Sequence, residues 1–305
     1  MNYDVLLIGG SGFVGQTMAA QLESAGYSVL IPTRRIAAAN DLRLLPKVSL
    51  LEADIFQEET LLALCGQIKP QGAVINLVGI LQDKPAKPYG LAFKKAHLDL
   101  PKLIIKAMEQ TGLRRYLHMS ALGADSNGPS MYQRSKGDGE KSVVASNLDW
   151  TIFRPSVIFG EKDQFINTFS SLAKIFPIIP LAHSEALFQP VSVRDVAKAF
   201  VMSLDTQHIN AKHKIFELVG PRVMSMKELV QFAAKKVGAF GKVIPLPAWV
   251  GYCQALMFEY GPGPTLMSRD NIASMQQANI LPVHGRDALT EDFGISKQAI
   301  ESLLK

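Results

Sequence analysis

The sequence predicts an α/β fold, with a doubly wound parallel sheet followed by a smaller C-terminal cap. Three observations predict it. Short β-branched apolar runs alternate with longer segments of helical period through the first half of the chain. A glycine-rich turn follows the first apolar run, and the alternation loosens after Pro155. We therefore place a sheet domain at residues 1–155 and a cap at residues 156–305, interleaved with late sheet strands.

Six strands and four helices account for the predicted sheet domain. Apolar and β-branched runs predict strands at 3–8, 28–33, 48–52, 72–78, 114–120 and 150–154. Apolar residues at helical spacing predict helices at 13–24, 57–66, 89–111 and 130–146. Because crossovers between parallel strands are right-handed, the strands should end along one edge of the sheet, where folds of this class bind ligands.

The cap segment has a less regular pattern. Helices are predicted at 193–204, 225–237 and 266–277, and KIFELVG at 214–220 reads as a late strand. The segment Val243–Phe258 is uncharged but interrupted by Pro245 and Pro247. It predicts a core or interface helix, with a helix lying on a membrane surface as the alternative. No run reaches the roughly 18 apolar residues that a membrane span needs.

Composition narrows the class of protein. The chain has 305 residues, of which 48% are hydrophobic, and a net charge of +5. The basic residues are scattered, so we expect no nucleic-acid partner. Cys65 and Cys253 lack metal-ligand spacing and predict buried thiols in a reducing compartment, without a metal. The first residues carry no basic leader, so we expect a cytoplasmic protein, with a peripheral position at the inner face of the membrane as the alternative.

The turn GGSGFVG spaces three glycines as GxxGxxG. Gly9 allows a sharp turn, Gly12 lets a pyrophosphate approach backbone N–H groups, and Gly15 lets the next helix pack on the strand. The phosphate would lie at the N-terminus of the helix that opens with Phe13 and Val14. The sequence therefore predicts a Rossmann-type domain that binds a dinucleotide.

The end of the second strand indicates which dinucleotide is preferred. A site selective for NAD(H) has an acidic residue there to bind the ribose 2′-hydroxyl, whereas this chain has Arg34 and Arg35. A guanidinium group suits a 2′-phosphate. We expect NADP(H) as the preferred cofactor and NAD(H) as the alternative, and the sequence leaves open which arginine makes the contact.

Two further strand ends suit a dinucleotide that lies across the sheet. Asp54 and Ile55 follow the third strand, where a carboxylate can accept a hydrogen bond from the adenine amino group. Leu77, Val78 and Gly79 lie at the end of the fourth strand, where small or apolar residues let the cofactor lie against the sheet.

The candidate catalytic residues are Tyr132, Lys136 and Ser120. Tyr132 and Lys136 are one helical turn apart and share a helix face. An ammonium beside a phenol should lower the phenol pKa from about 10 and make Tyr132 an acid or base near neutral pH. Ser120 ends the fifth strand, although our register places the expected hydroxyl position at or just after Ala121.

Together, the glycine turn, the strand-end serine and the YQRSK helix resemble the extended or atypical short-chain dehydrogenase/reductases. The segments YQRSKGDGEKSV, FRPSVIFGEKDQFINTFSSL and QPVSVRDVAKA are similar to the NADPH-binding accessory subunit of respiratory complex I and its bacterial relatives. The resemblance implies that Lys136 also reaches the nicotinamide ribose, and that Pro155 and Ser156 lie beside the nicotinamide. It leaves His97 either as a hydrogen-bonding residue of the active-site region or as a structural histidine.

Three functions are compatible with these residues. The first is hydride transfer between NADP(H) and a carbonyl, alcohol or quinone-related substrate. The second is a non-catalytic NADPH-binding or redox-sensing subunit, docked on a membrane complex through the C-terminal region. The third is a nucleotide-sugar epimerase or dehydratase, although the cap has few Arg and Asn residues to hold a diphosphate. In each case we expect a bacterial protein.

Overall fold

A parallel seven-stranded sheet forms the centre of the protein. The computed structural model describes residues 2–205, 210–260 and 267–304. Its strands are β1 (Tyr3–Ile8), β2 (Val29–Thr33), β3 (Val48–Glu52), β4 (Ile68–Asn76), β5 (Arg115–Met119), β6 (Asp149–Pro155), β7 (Ile158–Phe159), β8 (Ile178–Ala182), β9 (Leu187–Phe188), β10 (Val191–Ser192), β11 (Lys214–Leu218), β12 (Met224–Ser225) and β13 (Lys242–Leu246). The order in the sheet is β3-β2-β1-β4-β5-β6-β11, and every neighbouring pair is parallel. The predicted Rossmann-type fold is confirmed.

Helices cover both faces of this sheet. They are α1 (Phe13–Ser24), α2 (Glu58–Cys65), α3 (Leu91–Phe93), α4 (Leu100–Thr111), α5 (Met131–Val144), α6 (Gln164–Ile175), α7 (Val193–Met202), α8 (Met226–Lys236), α9 (Ala248–Tyr260), α10 (Arg269–Ser274) and α11 (Ala288–Glu291). Short 3₁₀ helices span Ile36–Leu44 and Ile300–Leu304.

Strand β1 shows how the alternation of a strand divides the core. Val5 and Leu7 pack in the cluster that α1 and α7 cover, whereas Leu6 and Ile8 pack in the cluster that α2, α4 and α5 cover. Successive side chains of a strand point to opposite faces, so a strand buried on both faces is apolar throughout. The unbroken apolar run VLLI follows from this position.

Strand β4 begins earlier than predicted and contains a bulge. Tyr3 pairs with Ile68, but Val5 pairs with Ala73, so the register shifts between them. Gly72 permits this shift, because a Cβ there would lie 2.6 Å from the carbonyl oxygen of Asp4.

The helix predicted at 89–111 contains a π-helical turn. Helix α3 is followed by π-helical residues Lys94–Asp99 and then by α4. Pro101 lies in the first turn of α4 and has no N–H to donate to the carbonyl of His97. The wider π turn accommodates the missing bond.

The cap has its own core, but the chain crosses between the two cores. Buried residues of α6, α8 and α10 pack in the cap, whereas those of α7, β11 and α11 pack against the sheet. The strand pairs β7–β10, β9–β12 and β8–β13 complete the cap. The boundary at residue 155 stays a prediction.

Two expectations for the cap were wrong. Val243–Phe258 is not one helix, because β13 occupies its start and α9 begins only after Pro247. Residues 242–246 are extended because they pair with β8, and Pro247 lies between this strand and the start of α9. Cys65 is buried as expected, but Cys253 is exposed on α9. Within the described ranges, the helices are all too short or too polar to cross a membrane.

Candidate functional site

The glycine turn brings backbone from β1, α1 and β4 close together. Gly9 has a φ of +84°, in the left-handed region that favours glycine. A Cβ on Gly9 would lie 3.2 Å from the backbone of Leu77 and Val78. A Cβ on Gly15 would overlap the carbonyl oxygen of Gly9 and the backbone of Gly10. The missing side chains therefore allow α1 to begin directly at the end of β1.

The N-terminus of α1 is open at this turn. Gly12 is the N-cap residue in an extended conformation, and no side chain caps the helix. The first N–H groups of a helix have no partner within it, so those after Gly12 point toward the sheet edge. Phe13 faces the cap, where a Cβ on Gly160 would lie 2.9 Å from its ring, and Val14 packs on the sheet core.

The ends of β2 and β3 carry the residues predicted to bind the adenosine half of the dinucleotide and to favour NADP(H) over NAD(H). Thr33 links β2 to the turn through a 3.3 Å hydrogen bond from its Oγ1 to the hydroxyl of Ser11. Arg34 and Arg35 are both exposed. The pKa of Asp54 is lowered, first by the Phe56 N–H and then by the Gln57 side chain, with smaller contributions from Lys95 and Arg34.

The Arg34 guanidinium is therefore close enough to contribute to the lowered pKa of Asp54. This places Arg34 on the side of the sheet edge that carries Asp54. Ile55 is partly buried and packs, like Val78, against the sheet core.

The end of β4 leads to the candidate catalytic helix. Asn76 is fully buried, and its Oδ1 accepts a 3.1 Å hydrogen bond from the N–H of Val78. A Cβ on Gly79 would lie 3.2 Å from Nζ of Lys136. Gly79 therefore leaves room for the Lys136 side chain at the sheet edge.

Helix α5 holds Tyr132 and Lys136 and is fixed at its start by two caps. Ser130 and Gln133 form a capping box. Asp270, from α10 of the cap, accepts hydrogen bonds from the N–H groups of Met131 at 2.6 Å and Tyr132 at 3.0 Å. A cap residue thus holds the backbone of the candidate catalytic tyrosine.

Further along, α5 is tied closely to its neighbours. A Cβ on Gly139 would overlap the carbonyl oxygen of His97, and one on Gly137 would overlap the backbone of Ser126. Glu140 is buried and forms a bidentate ion pair with Arg154 of β6. The two glycines and this ion pair hold α5 against the sheet.

Tyr132 lies in an aromatic environment and its pKa moves opposite to our expectation. Its ring is 6.1 Å from that of Phe93 and 5.6 Å from that of His97, both edge-on. Burial raises the pKa of Tyr132 to about 12. The predicted lowering by Lys136 was wrong, because desolvation of the phenolate outweighs the attraction of the ammonium. The phenol is protonated at neutral pH.

Lys136 is 3% exposed, and its Nζ donates a 3.1 Å hydrogen bond to the carbonyl oxygen of Met119, the last residue of β5. Burial lowers its pKa to about 8, and Glu140 opposes the shift. Lys136 is therefore mostly protonated at neutral pH and loses its proton slightly above neutral pH.

Ser120 directly follows Met119. Its N–H donates a 2.7 Å hydrogen bond to Phe153. Its hydroxyl is buried, with no hydrogen-bond partner among the described residues. A buried hydroxyl usually has such a partner, so this one is available to a ligand.

His97 is a satisfied structural histidine. Its Nε2 accepts a 3.0 Å hydrogen bond from the N–H of Ile80, and its Nδ1 is 2.8 Å from the hydroxyl of Ser135. That hydroxyl donates to the carbonyl of Tyr132, so Nδ1 of His97 carries the proton. Burial, and then Lys136, lower the pKa of His97 to about 2. Both ring nitrogens are used in holding the loop after β4 to α5.

The predicted nicotinamide residues lie at the junction with the cap. Pro155 ends β6, and the Ser156 hydroxyl is shared with Asn279, at 2.6 Å from its Oδ1 and 3.0 Å from its carbonyl oxygen. Asn279 also donates from Nδ2 to the carbonyl of Leu122 at 3.1 Å. The Ser156 hydroxyl is therefore engaged, and its N–H donates a 3.0 Å hydrogen bond to the carbonyl oxygen of Leu218.

The structure brings Ser120, Tyr132, Lys136 and Gly79 to one part of the sheet edge. Arg34 and Asp54 lie just after the ends of β2 and β3, on the other side of the glycine turn. Sequence reasoning missed Asp270 and Asn279, because polar and apolar residues are mixed throughout the stretch 267–283 and nothing sets these two apart. Across residues 2–205, 210–260 and 267–304, no three potential metal ligands lie together.

Comparison with known proteins agrees with this geometry. The model of the NAD dependent epimerase/dehydratase family matches residues 5–218. The chain is 28% identical over 303 residues to NADH dehydrogenase [ubiquinone] 1 alpha subcomplex subunit 9, mitochondrial, of Arabidopsis thaliana, covering 97% of this chain and 73% of that protein. The Mus musculus protein of the same name is 27% identical, with 97% and 77% covered.

A solved structure shares the fold. The dTDP-glucose 4,6-dehydratase of Streptomyces venezuelae, with NAD and TYD bound, superposes with a TM-score of 0.74 at 16% identity, covering 98% of this chain and 93% of that one. These similarities confirm the resemblance that the sequence motifs predicted.

Proposed function

Because this chain belongs to the NAD dependent epimerase/dehydratase family, we propose that it is an NADP(H)-dependent oxidoreductase. It transfers a hydride between the cofactor and a carbonyl, alcohol or quinone-related substrate. One observation carries the proposal: the buried Ser120 hydroxyl has no partner among the described residues, and it directly follows Met119, whose carbonyl oxygen accepts a hydrogen bond from Lys136. With Tyr132 one helical turn before Lys136 on α5, a free hydroxyl, an ammonium and a phenol are suited to bind and protonate a substrate oxygen.

The chain fits a dinucleotide at the glycine turn. The uncapped N-terminus of α1 provides N–H groups for a pyrophosphate after Gly12, and side chains at Gly9 or Gly15 would fill that space. Arg34 would hold the 2′-phosphate and Asp54 would accept from the adenine amino group. Both residues are exposed at the adjoining strand ends.

The other half of the cofactor would lie toward α5. Leu77, Val78 and Gly79 would form the wall beneath it, and Lys136 would hold the nicotinamide ribose. Pro155, with the backbone of Ser156, would flank the nicotinamide ring. When bound, the cofactor supplies or accepts a hydride.

The three polar side chains divide the proton chemistry. In the reducing direction, Tyr132 donates its hydroxyl proton to the carbonyl oxygen while the carbonyl carbon gains the hydride. Its pKa of about 12 keeps it protonated for this step. Ser120 donates a hydrogen bond to the same oxygen, and the Lys136 ammonium stabilises the phenolate until solvent returns the proton.

A second candidate function is a subunit that holds NADPH without turnover, attached peripherally to a membrane complex. A specific observation favours it: the matched relatives are mitochondrial NADH dehydrogenase subunits, with similarity along 97% of this chain. A tyrosine with a pKa of about 12 is also almost wholly protonated at neutral pH, so little phenolate is present to accept a proton in the oxidising direction.

The first experiment separates these two functions. The purified protein is denatured, the released nucleotide is identified by mass, and oxidation of that nucleotide in the native protein is followed with a panel of carbonyls and quinones. Turnover with one acceptor class supports the oxidoreductase. Release of NADPH that no acceptor oxidises supports the second function, and release of no dinucleotide would exclude both.

Matched tyrosine variants then test the catalytic assignment. Tyr132→Phe should retain the nucleotide and lower turnover by a factor of about 10²–10⁴, the usual contribution of a positioned acid. The control is Tyr89→Phe, because the Tyr89 hydroxyl donates to Asp138 at 2.9 Å and has no role in the proposed chemistry. Equal turnover in the two variants would remove Tyr132 from the mechanism.

The cofactor preference has its own pair of variants. Arg34→Ala should weaken NADPH binding by about tenfold and leave NADH binding nearly unchanged, because only NADPH has the 2′-phosphate. Arg35→Ala serves as the control. Equal losses for both nucleotides would refute the assignment of Arg34.

A further inference from the structure

Helix α9 turns its apolar side outward. Its exposed residues are Ala248, Trp249, Tyr252, Cys253, Leu256, Met257 and Tyr260. Their spacing of three or four residues places them on one helix face, which carries no charge. Trp249 is 71% exposed, Met257 66% and Tyr260 75%. The buried residues of α9 are the small Gly251 and Ala255.

The outward side of α9 continues onto the β8–β13 pair. A Cβ on Gly251 would overlap the Cβ of Ala182, so α9 covers the end of β8. Ile178 and Pro180 point to the same side of β8 as Ala182, because side chains alternate along a strand, and both are exposed. On β13, their register partners Lys242 and Ile244 are exposed as well.

These residues form one surface, which we call the apolar face. It comprises the outward residues of α9 given above together with Ile178, Pro180, Lys242 and Ile244. Exposed Ile175 and Phe176 lie next to it at the end of α6. Large exposed apolar patches on a protein usually mark a binding surface.

Lysines outnumber acidic residues around the apolar face. No Asp or Glu occurs in residues 164–184 or 229–258, the two segments that form it. Their lysines are Lys174, Lys235, Lys236 and Lys242. Lys174, Lys235 and Lys242 are exposed. The acids that follow these segments are Glu185, which is exposed near Ala248, and Glu259, which is partly buried and forms an ion pair with Arg269 at 2.8 Å.

We propose that the apolar face binds the surface of an anionic lipid bilayer. Exposed Trp and Tyr rings are suited to the headgroup region, where one part of the ring is apolar and the other is wet. Lysines beside a charge-free apolar helix face add attraction to anionic lipids.

The test uses the full chain and two kinds of vesicle, phosphatidylcholine alone and phosphatidylcholine with phosphatidylglycerol. We expect flotation with the anionic vesicles only, weakening as salt is added. Tryptophan emission reports the same event, because Trp249 is exposed while Trp150 is 8% exposed and already in the core. Its emission should shift to shorter wavelength when anionic vesicles are added.

Variants locate the contact. Leu256→Ser with Met257→Ser should lower the vesicle partition coefficient at least about tenfold, through the loss of apolar area. Lys242→Gln should lower it about fivefold, the effect of one lysine near an anionic surface. The control is Leu91→Ser with Val283→Ser, two apolar residues that are 84% and 96% exposed away from this face. The control should bind vesicles like the unchanged protein.

Three results would overturn the proposal. They are no binding to anionic vesicles at low salt, equal losses in the α9 and control variants, and a dimer in sedimentation that the α9 variants abolish, which would assign the face to a second copy. The proposal does not involve the nucleotide site, so its failure would leave the proposed function standing.

Discussion

Strand β1 and helix α9 are both strongly apolar, yet the fold treats them in opposite ways. In β1, Leu6, Leu7 and Ile8 are fully buried, and the strand is covered on both faces. In α9, the large side chains Trp249 and Met257 are exposed and only small residues are buried. Apolar content alone therefore does not determine burial. What decides it is whether another element of the same chain covers the residue.

The difference separates two uses of hydrophobic residues. The residues of β1 stabilise the fold, because their area is removed from water on folding. The outward residues of α9 contribute little to folding and remain available for binding. Variants in the two regions should therefore differ in kind, with loss of stability in one and loss of association in the other.

The largest effect is expected at the glycine turn, where packing is closest. Gly15→Ala would place a Cβ against the carbonyl oxygen of Gly9. Neither backbone can move away, so the free energy of unfolding should fall by more than about 3 kcal/mol, beyond the usual cost of overpacking. Urea unfolding measures this loss. The amount of nucleotide that is released when the purified protein is denatured should fall as well.

Gly66→Ala is the matched control. Gly66 ends α2 in a right-handed helical conformation, and a Cβ there would lie 3.4 Å from its nearest neighbour. The change should leave stability the same or slightly higher. If both variants were equally stable, the close packing of the turn would not limit the fold.

The direct comparison of the two regions uses one truncation in each. Leu7→Ala should lower the free energy of unfolding by about 3 kcal/mol, because it opens a cavity in the sheet core. Met257→Ala should change it by no more than about 0.5 kcal/mol, because the side chain is already 66% exposed. Equal losses of unfolding free energy would mean that α9 is covered in solution. The two regions would then not differ in their contribution to stability.

The pH dependence of stability tests the burial of two histidines in the sheet domain. Burial lowers the pKa of His97 to about 2 and of His118 to about 3, from an ordinary 6.5. Below pH 6.5, His97 and His118 bind protons in the unfolded chain but remain neutral in the folded chain. Stability should therefore fall with decreasing pH, by about 1.4 kcal/mol per pH unit for each histidine.

Urea unfolding between pH 6 and pH 4 measures that slope. His118→Asn should reduce it by the share of one histidine, because burial lowers the pKa of His118. An unchanged slope in His118→Asn would show that this ring is protonated without cost in the folded protein.

The smallest effect concerns the place where the cap reaches the sheet domain. Asp270→Ala removes the acceptor for two N–H groups at the start of α5. We expect a loss of about 1–2 kcal/mol, typical of a helix cap, together with weaker nucleotide binding because Tyr132 and Lys136 shift. Asp270→Asn keeps one acceptor oxygen and should recover part of both.

Asp163→Ala is the control for this position. Asp163 caps α6 through a 2.6 Å hydrogen bond from the Ile166 N–H, away from α5. It should lower stability by a similar amount without changing nucleotide affinity. Equal affinity losses in the two variants would show that the Asp270 effect is a general loss of structure.

The Rossmann-type fold and the glycine turn were predictable because their signals are local. The glycine spacing, the Tyr132–Lys136 interval and the alternation of strands and helices each span a few residues. The predictions that failed depend on distant neighbours. The direction of the Tyr132 pKa follows from burial, and the break before α9 follows from β13 pairing with β8.

The sequence by itself determined the Rossmann-type fold, the open turn at Gly9–Gly15 and the shared helix face of Tyr132 and Lys136, because each rests on backbone preference and short-range spacing. Only the tertiary structure decided that Asp270, 139 residues from Met131, caps the helix of Tyr132. It alone decided that the apolar stripe of α9 faces outward. Both depend on which elements pack together, and that is settled by contacts between residues far apart in the chain.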